Sequence, residues 1–115
     1  MTDTYEQAAD LFKALAHPTR IQILDLLRGG EICVCHIEAA IGKRQAYISQ
    51  QLMILREAEL VDSRRDGLQV YYRLTDTRIP GLLADLLGTS SPVKPAPIEN
   101  CPCPECSSVV MAPNQ

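Results

Sequence analysis

The chain has 115 residues, 46% hydrophobic and 22% charged, with a net charge of −3, which suits one small globular unit and leaves little room for a second core. No run approaches the length needed to cross a bilayer, and the first residues lack the basic start and apolar stretch of a signal peptide. The reading is a cytoplasmic protein without a membrane segment, whose thiols stay reduced.

Thr4 with Gln7 three residues later is a capping-box pattern, and Ala8, Leu11, Phe12 and Leu15 follow at helical spacing. These predict a first helix over residues 5–16. Pro18 suits the first turn of a second helix, lined by Ile21, Ile23, Leu24, Leu26 and Leu27 and stopped by Gly29-Gly30. A short helix is expected over residues 34–40, closed by Gly42. A longer one follows over 45–58, with Ile48, Leu52 and Leu55 as its buried stripe. Two helices joined so tightly at Ile41-Gly42 form a helix-turn-helix.

A hairpin should come next. Asp66-Gly67 is the turn signal, Leu68, Val70, Tyr72 and Leu74 alternate on the downstream arm, and residues 60–65 supply the other arm. A hairpin directly after a helix-turn-helix is a wing. Pro80 opens a last helix carrying Leu82, Leu83, Leu86 and Leu87, too apolar to stand bare on a monomer. With one Phe and no Trp the core is thin, so a shared dimer surface built from the first and last helices is expected. The fold class is therefore mainly α with a small β-hairpin: a winged helix-turn-helix of about five helices and a two-stranded wing. It should occupy residues 1–88. Six of the eight prolines lie in residues 89–115, which read as a proline-rich, cysteine-containing tail.

Charge is unevenly spread. Residues 43–73 hold six bases and four acids, a net of +2 on a chain whose remainder is −5. A locally basic surface on an acidic body fits phosphate binding, which depends on the local field. A solvated charged face is the plainer alternative. Five cysteines, an odd number, cannot all pair within one chain, so metal binding or redox sensing accounts for them better than a disulfide framework.

Over residues 14–74 five runs stand in a specific order. They are Ala14-Leu15-Ala16-His17-Pro18-Thr19-Arg20-Ile21, Glu31-Ile32-Cys33-Val34-Cys35 and Ile48-Ser49-Gln50-Gln51-Leu52, then Leu55-Arg56-Glu57-Ala58-Glu59-Leu60-Val61 and Gly67-Leu68-Gln69-Val70-Tyr71-Tyr72-Arg73-Leu74. In that order the sequence resembles the ArsR/SmtB family of metal-sensing repressors. Gln51 stands where that family usually has His, and Glu59 where Gly is common. The resemblance implies a homodimer reading an inverted-repeat operator in double-stranded DNA, with its two recognition helices about 34 Å apart in successive major grooves.

With Ile48, Leu52 and Leu55 inward, the outer face of the recognition helix shows Gln45, Ala46, Ser49, Gln50 and Met53. Gln45, Ser49 and Gln50 are the expected base readers, because Gln can bridge an adenine edge and Ser can serve several bases. Lys43 and Arg44 at the helix entrance would hold phosphate. Arg64 and Arg65 near the wing tip would reach phosphate or the minor groove. Tyr47 reads equally well as a backbone contact or a packed aromatic, and His17 carries no assigned role.

Cys33 and Cys35 begin the first helix of the helix-turn-helix, where resembling arsenic and cadmium sensors place inducer ligands. Residues two apart on a helix point to nearly opposite sides, so the pair could hold one ion only if that helix start were unwound. His36 is a further ligand or a surface residue. Cys101, Cys103 and Cys106 form a second cluster, stiffened by Pro102 and Pro104. Three such thiols suit arsenic(III) or antimony(III) as inducer, and soft thiolate sites also take cadmium, lead or zinc. The zinc-sensing branch carries Asp and His ligands on its last helix, and residues 77–88 contain no His. A thiol-redox repressor of the same fold is the alternative. An enzyme is not expected, since no nucleophile has a positioned base.

Overall fold

The computed structural model describes residues 3–89. Five helices and three strands follow in the order α1 (Thr4–Leu15), α2 (Pro18–Leu27), β1 (Ile32–Cys33), α3 (Val34–Ile41), α4 (Gln45–Glu57), β2 (Val61–Asp66), β3 (Gln69–Leu74) and α5 (Ile79–Leu87). The winged helix-turn-helix expected from the pattern is the fold observed.

Helix α1 begins one residue earlier than the Thr4/Gln7 pattern suggested. Asp3 is the N-cap, and its N–H donates to the Glu6 carboxylate at 3.3 Å, which satisfies a donor that the helix leaves orphaned. Of the expected α1 stripe only Leu15 is buried, and Phe12 stays 61% exposed. In α5 Leu83 is buried while Leu86 and Leu87 are exposed. Both helices thus carry an uncovered apolar edge. The core between them is aliphatic: Ile23, Leu24, Ile37, Ile48, Leu55 and Ile79 are wholly shielded from solvent.

The sheet has three strands where a two-stranded wing was expected. Its order is β1-β3-β2, all antiparallel, with Ile32 opposite Tyr72 and Cys33 opposite Tyr71. A two-residue strand is too short to leave a period-two pattern, so it is invisible before β3 is there to pair with it. The hairpin turn also sits one residue later than expected. Asp66 pairs with Gln69, leaving Gly67 and Leu68 as the central residues. Gly67 has φ 65°, and a primed hairpin turn calls for glycine there.

Helix α4 ends in a Schellman motif. The N–H of Leu60 reaches the carbonyl of Leu55 at 3.0 Å, and that of Glu59 reaches Arg56 at 2.9 Å. The motif needs a left-handed residue, and Glu59 supplies it at φ 64°. This is the position where glycine is common in the resembling family, and the backbone shows why.

Candidate functional site

Helices α3 and α4 meet through Gly42, which is left-handed at φ 76° and donates its N–H to the Glu38 carbonyl at 2.8 Å. Ile48, Leu52 and Leu55 turn inward as expected, at 1% exposure or less. That fixes the opposite face of α4. Gln45, Ser49 and Gln50 lie on it, all exposed, with Lys43 and Arg44 exposed at its N-terminal end. The positive end of the α4 dipole opens between these two bases.

The two wing arginines differ. Arg65 is exposed, and no hydrogen bond, ion pair or ring contact is found for it among the described residues. Arg64 is committed: its Nε and Nη2 donate to the two Glu31 carboxylate oxygens at 2.8 and 2.7 Å. Its guanidinium carbon also stands 4.6 Å above the ring of Tyr71, its partner across the β2–β3 ladder. The hydrogen bond to Glu31 is the main reason its proton affinity rises above the ordinary arginine range.

Cys33 and Cys35 come together without any unwinding of α3, which corrects the expectation from helical geometry. The helix starts at Val34, so Cys33 is its N-cap in extended conformation, at φ −66° and ψ 144°. Its sulfur therefore folds back to 2.6 Å from that of Cys35, the second residue of the helix. Cys33 is buried and Cys35 half-buried. The Cys33 Sγ also donates to Gln69 Oε1 at 3.4 Å, so the thiol touches the wing directly, at the first residue of β3 beside the hairpin turn. His36 is buried at 3% exposure, which removes the surface reading of that residue. Among the described residues no group of three or more metal-ligating side chains is assembled. Cys101, Cys103 and Cys106 lie outside the described residues, as does the tail beyond Thr89. Glu38, also on α3, keeps one carboxylate oxygen buried without a hydrogen bond, and that burial pushes its carboxyl above the usual range.

Sequence reasoning missed a polar cluster behind α4. Tyr47 is a packed aromatic: its hydroxyl lies 3.2 Å from Thr19 Oγ1 and 3.3 Å from His17 Nε2. His17 is the N-cap of α2, accepting at Nδ1 from the Thr19 N–H at 3.2 Å. Gln51 is 5% exposed and accepts from Arg20 at 3.0 Å. The signal was present in polar residues at positions 47 and 51, beside the inward stripe of α4, but their partners lie about thirty residues away in sequence and only folding joins them.

The model of the bacterial regulatory proteins of the arsR family matches residues 17–63, from the α2 cap through the helix-turn-helix into β2. A transcriptional repressor SmtB homolog of Synechocystis is 39% identical over 84 residues, 73% of this chain, and the chain spans 64% of that relative's length. A biofilm growth-associated repressor of Agrobacterium fabrum is 42% identical over 80 residues, covering 70% of this chain and 68% of that one. The chain belongs to the ArsR family. As an ArsR-family protein it is a helix-turn-helix transcriptional regulator and not an enzyme. Solved neighbours agree with the fold. HlyU from Vibrio cholerae superimposes with TM-score 0.70 at 32% identity, covering 76% of this chain and 98% of that one. A homodimeric winged helix-turn-helix DNA-binding domain from Mycobacterium bovis superimposes with TM-score 0.65 at 39% identity, covering 71% of this chain and 76% of that one. Among the described residues no helix is long and apolar enough to cross a membrane.

Proposed function

We propose that this ArsR-family regulator is a cytoplasmic, homodimeric repressor that leaves its operator when Cys33 and Cys35 capture arsenite or antimonite. The observation that carries the proposal is the meeting of two sulfurs at 2.6 Å on the first turn of the helix-turn-helix, with one of them bonded to the wing. Gln45, Ser49 and Gln50 read base edges, and Lys43, Arg44 and Arg65 hold phosphate. Arg64 stays with Glu31 in the free protein and is available to phosphate only when that pair opens. The exposed apolar edges of α1 and α5 form the dimer contact, a reading supported by the homodimeric Mycobacterium bovis neighbour.

Arsenic(III) favours three sulfurs in a pyramid, so the described pair supplies two ligands. The third would come from Cys101, Cys103 or Cys106. Cadmium, lead and zinc are thiophilic alternatives that would draw on the same donors. A second reading is a thiol-redox switch, favoured by the same sulfur pair, since two thiols this close can be oxidised together to a disulfide by a peroxide.

The test titrates protein bound to DNA from upstream of its own gene with arsenite, cadmium and mild peroxide. Cys33/Cys35 and Cys101/Cys103/Cys106 are replaced separately. Arsenite should weaken the complex roughly 5- to 150-fold, the usual scale of such coupling. The response should vanish without Cys33 and Cys35. Unchanged affinity with arsenite but release by peroxide would select the redox reading.

A further inference from the structure

Helix α4 is held from behind by two directional polar contacts on one face, and both lead to the α1–α2 corner. Tyr47 and Gln51 are one turn apart, so they point the same way. Tyr47 is bonded to His17 and Thr19, the cap and first turn of α2. Gln51 is bonded to Arg20 Nη1. Arg20 does more than hold Gln51. Its Nε donates to the Ala14 carbonyl at 2.7 Å and its Nη2 to the Lys13 carbonyl at 3.3 Å, at the end of α1, where the Lys13 carbonyl also accepts from the Ala16 N–H.

One planar guanidinium therefore spans three helices: it closes the C-terminus of α1, stands on α2 and grips α4. We propose that Arg20, acting through Gln51, is a positioning residue for DNA reading that sets the angle of the recognition helix relative to α1. The aliphatic contacts of Ile48, Leu52 and Leu55 are not directional, and such packing tolerates small rotations and slides. A fork of N–H donors in fixed geometry does not. Because α1 carries the exposed Tyr5 and Phe12 edge assigned to the dimer contact, Arg20 ties the orientation of α4 to the two-fold axis. Its consequence is the separation of the two recognition helices, and hence the half-site spacing that the dimer accepts. This inference rests on the homodimeric DNA-binding reading above.

Gln51 is the residue to change, because it is buried away from the DNA face and its loss leaves the Arg20 bonds to α1 intact. Gln51→Met keeps the shape and removes the acceptor; Gln51→Glu restores an acceptor. Binding is measured to upstream DNA and to versions with the half-site spacing lengthened by one to three base pairs. In parallel, distances between non-thiol spin labels at Asp10 on α1 and Met53 on α4 are measured in the free protein. The expected result is that Gln51→Met loses roughly 2- to 30-fold in preference for the natural spacing. Its label distances should broaden, and Gln51→Glu should recover both. An equal loss at every spacing with unchanged distances would overturn the proposal and leave Gln51 as a packing residue. If the wild type binds no DNA while Gln51→Met still broadens the distances, the brace stands and the DNA-binding reading fails. Unchanged distances in that case would end both.

Discussion

Cys33 and Cys35 lie with their sulfur atoms 2.6 Å apart, one residue before α3 and one residue inside its first turn. The pairing follows from the helix start, with Cys33 extended as the cap and Cys35 inside the first turn. A trivalent arsenical that requires two neighbouring thiols, phenylarsine oxide, should therefore bind one per protomer in protein whose Cys101, Cys103 and Cys106 are all serine. Adding Cys35→Ser should abolish the adduct in mass spectrometry. No adduct in the triple-serine protein would show that Cys33 and Cys35 do not act as a dithiol.

The wing arginines should separate on DNA. Arg65→Ala should weaken binding about equally across sequences and reduce the slope of affinity against salt by about one. Arg64→Ala should change both less, because its guanidinium is held by Glu31 and lies over Tyr71. Equal effects from the two substitutions, measured by anisotropy over a salt series, would show that the Glu31 pair opens on DNA.

Glu59 occupies a left-handed position at φ 64° that the Schellman motif requires. Glu59→Gly should raise stability by about 0.5–1 kcal/mol, the left-handed penalty less the extra entropy of glycine in the unfolded chain. Glu59→Ala keeps the penalty and should not raise it. A denaturant midpoint that moves at constant slope is the measurement.

Stability should depend on pH through Asp76. Hydrogen bonds from Arg78 hold its carboxyl below the ordinary value; the side chain accepts from the Arg78 N–H at 2.8 Å and from Nη2 at 2.6 Å. A lowered folded-state value means stabilisation fully present above the unfolded value, about 3.9, and lost as pH falls through the folded one. Asp76→Asn should lower stability at neutral pH and flatten the stability curve over that acid window, because the stabilisation it removes is the part the wild type loses in acid. An unaltered acid limb would assign it to other carboxylates.

Local signals made most of the frame legible in advance. Pro18 at the start of α2, Gly42 after α3, the inward stripe of Ile48, Leu52 and Leu55, and the outward Gln45, Ser49 and Gln50 all follow from helical spacing and turn chemistry among neighbours. The errors arose where a residue's state depends on a distant partner. Strand β1 exists because β3 pairs with it. Arg64 is withdrawn because Glu31, thirty-three residues earlier, meets it. His36 is inside because the chain packs over it.

The five helices, the β2–β3 hairpin, their order and the outward face of α4 were legible in the sequence, since periodicity and caps act over a few residues. The sequence also placed two thiols two positions apart, but whether they meet depended on where α3 begins. The tertiary structure decided that Cys33 stays extended, as a cap paired to Tyr71, so that its sulfur reaches Cys35 with the helix intact. The reason is physical: helical spacing sets where α3 starts, but the extended backbone of Cys33 is shared with a ladder to β3, and that partner lies far along the chain.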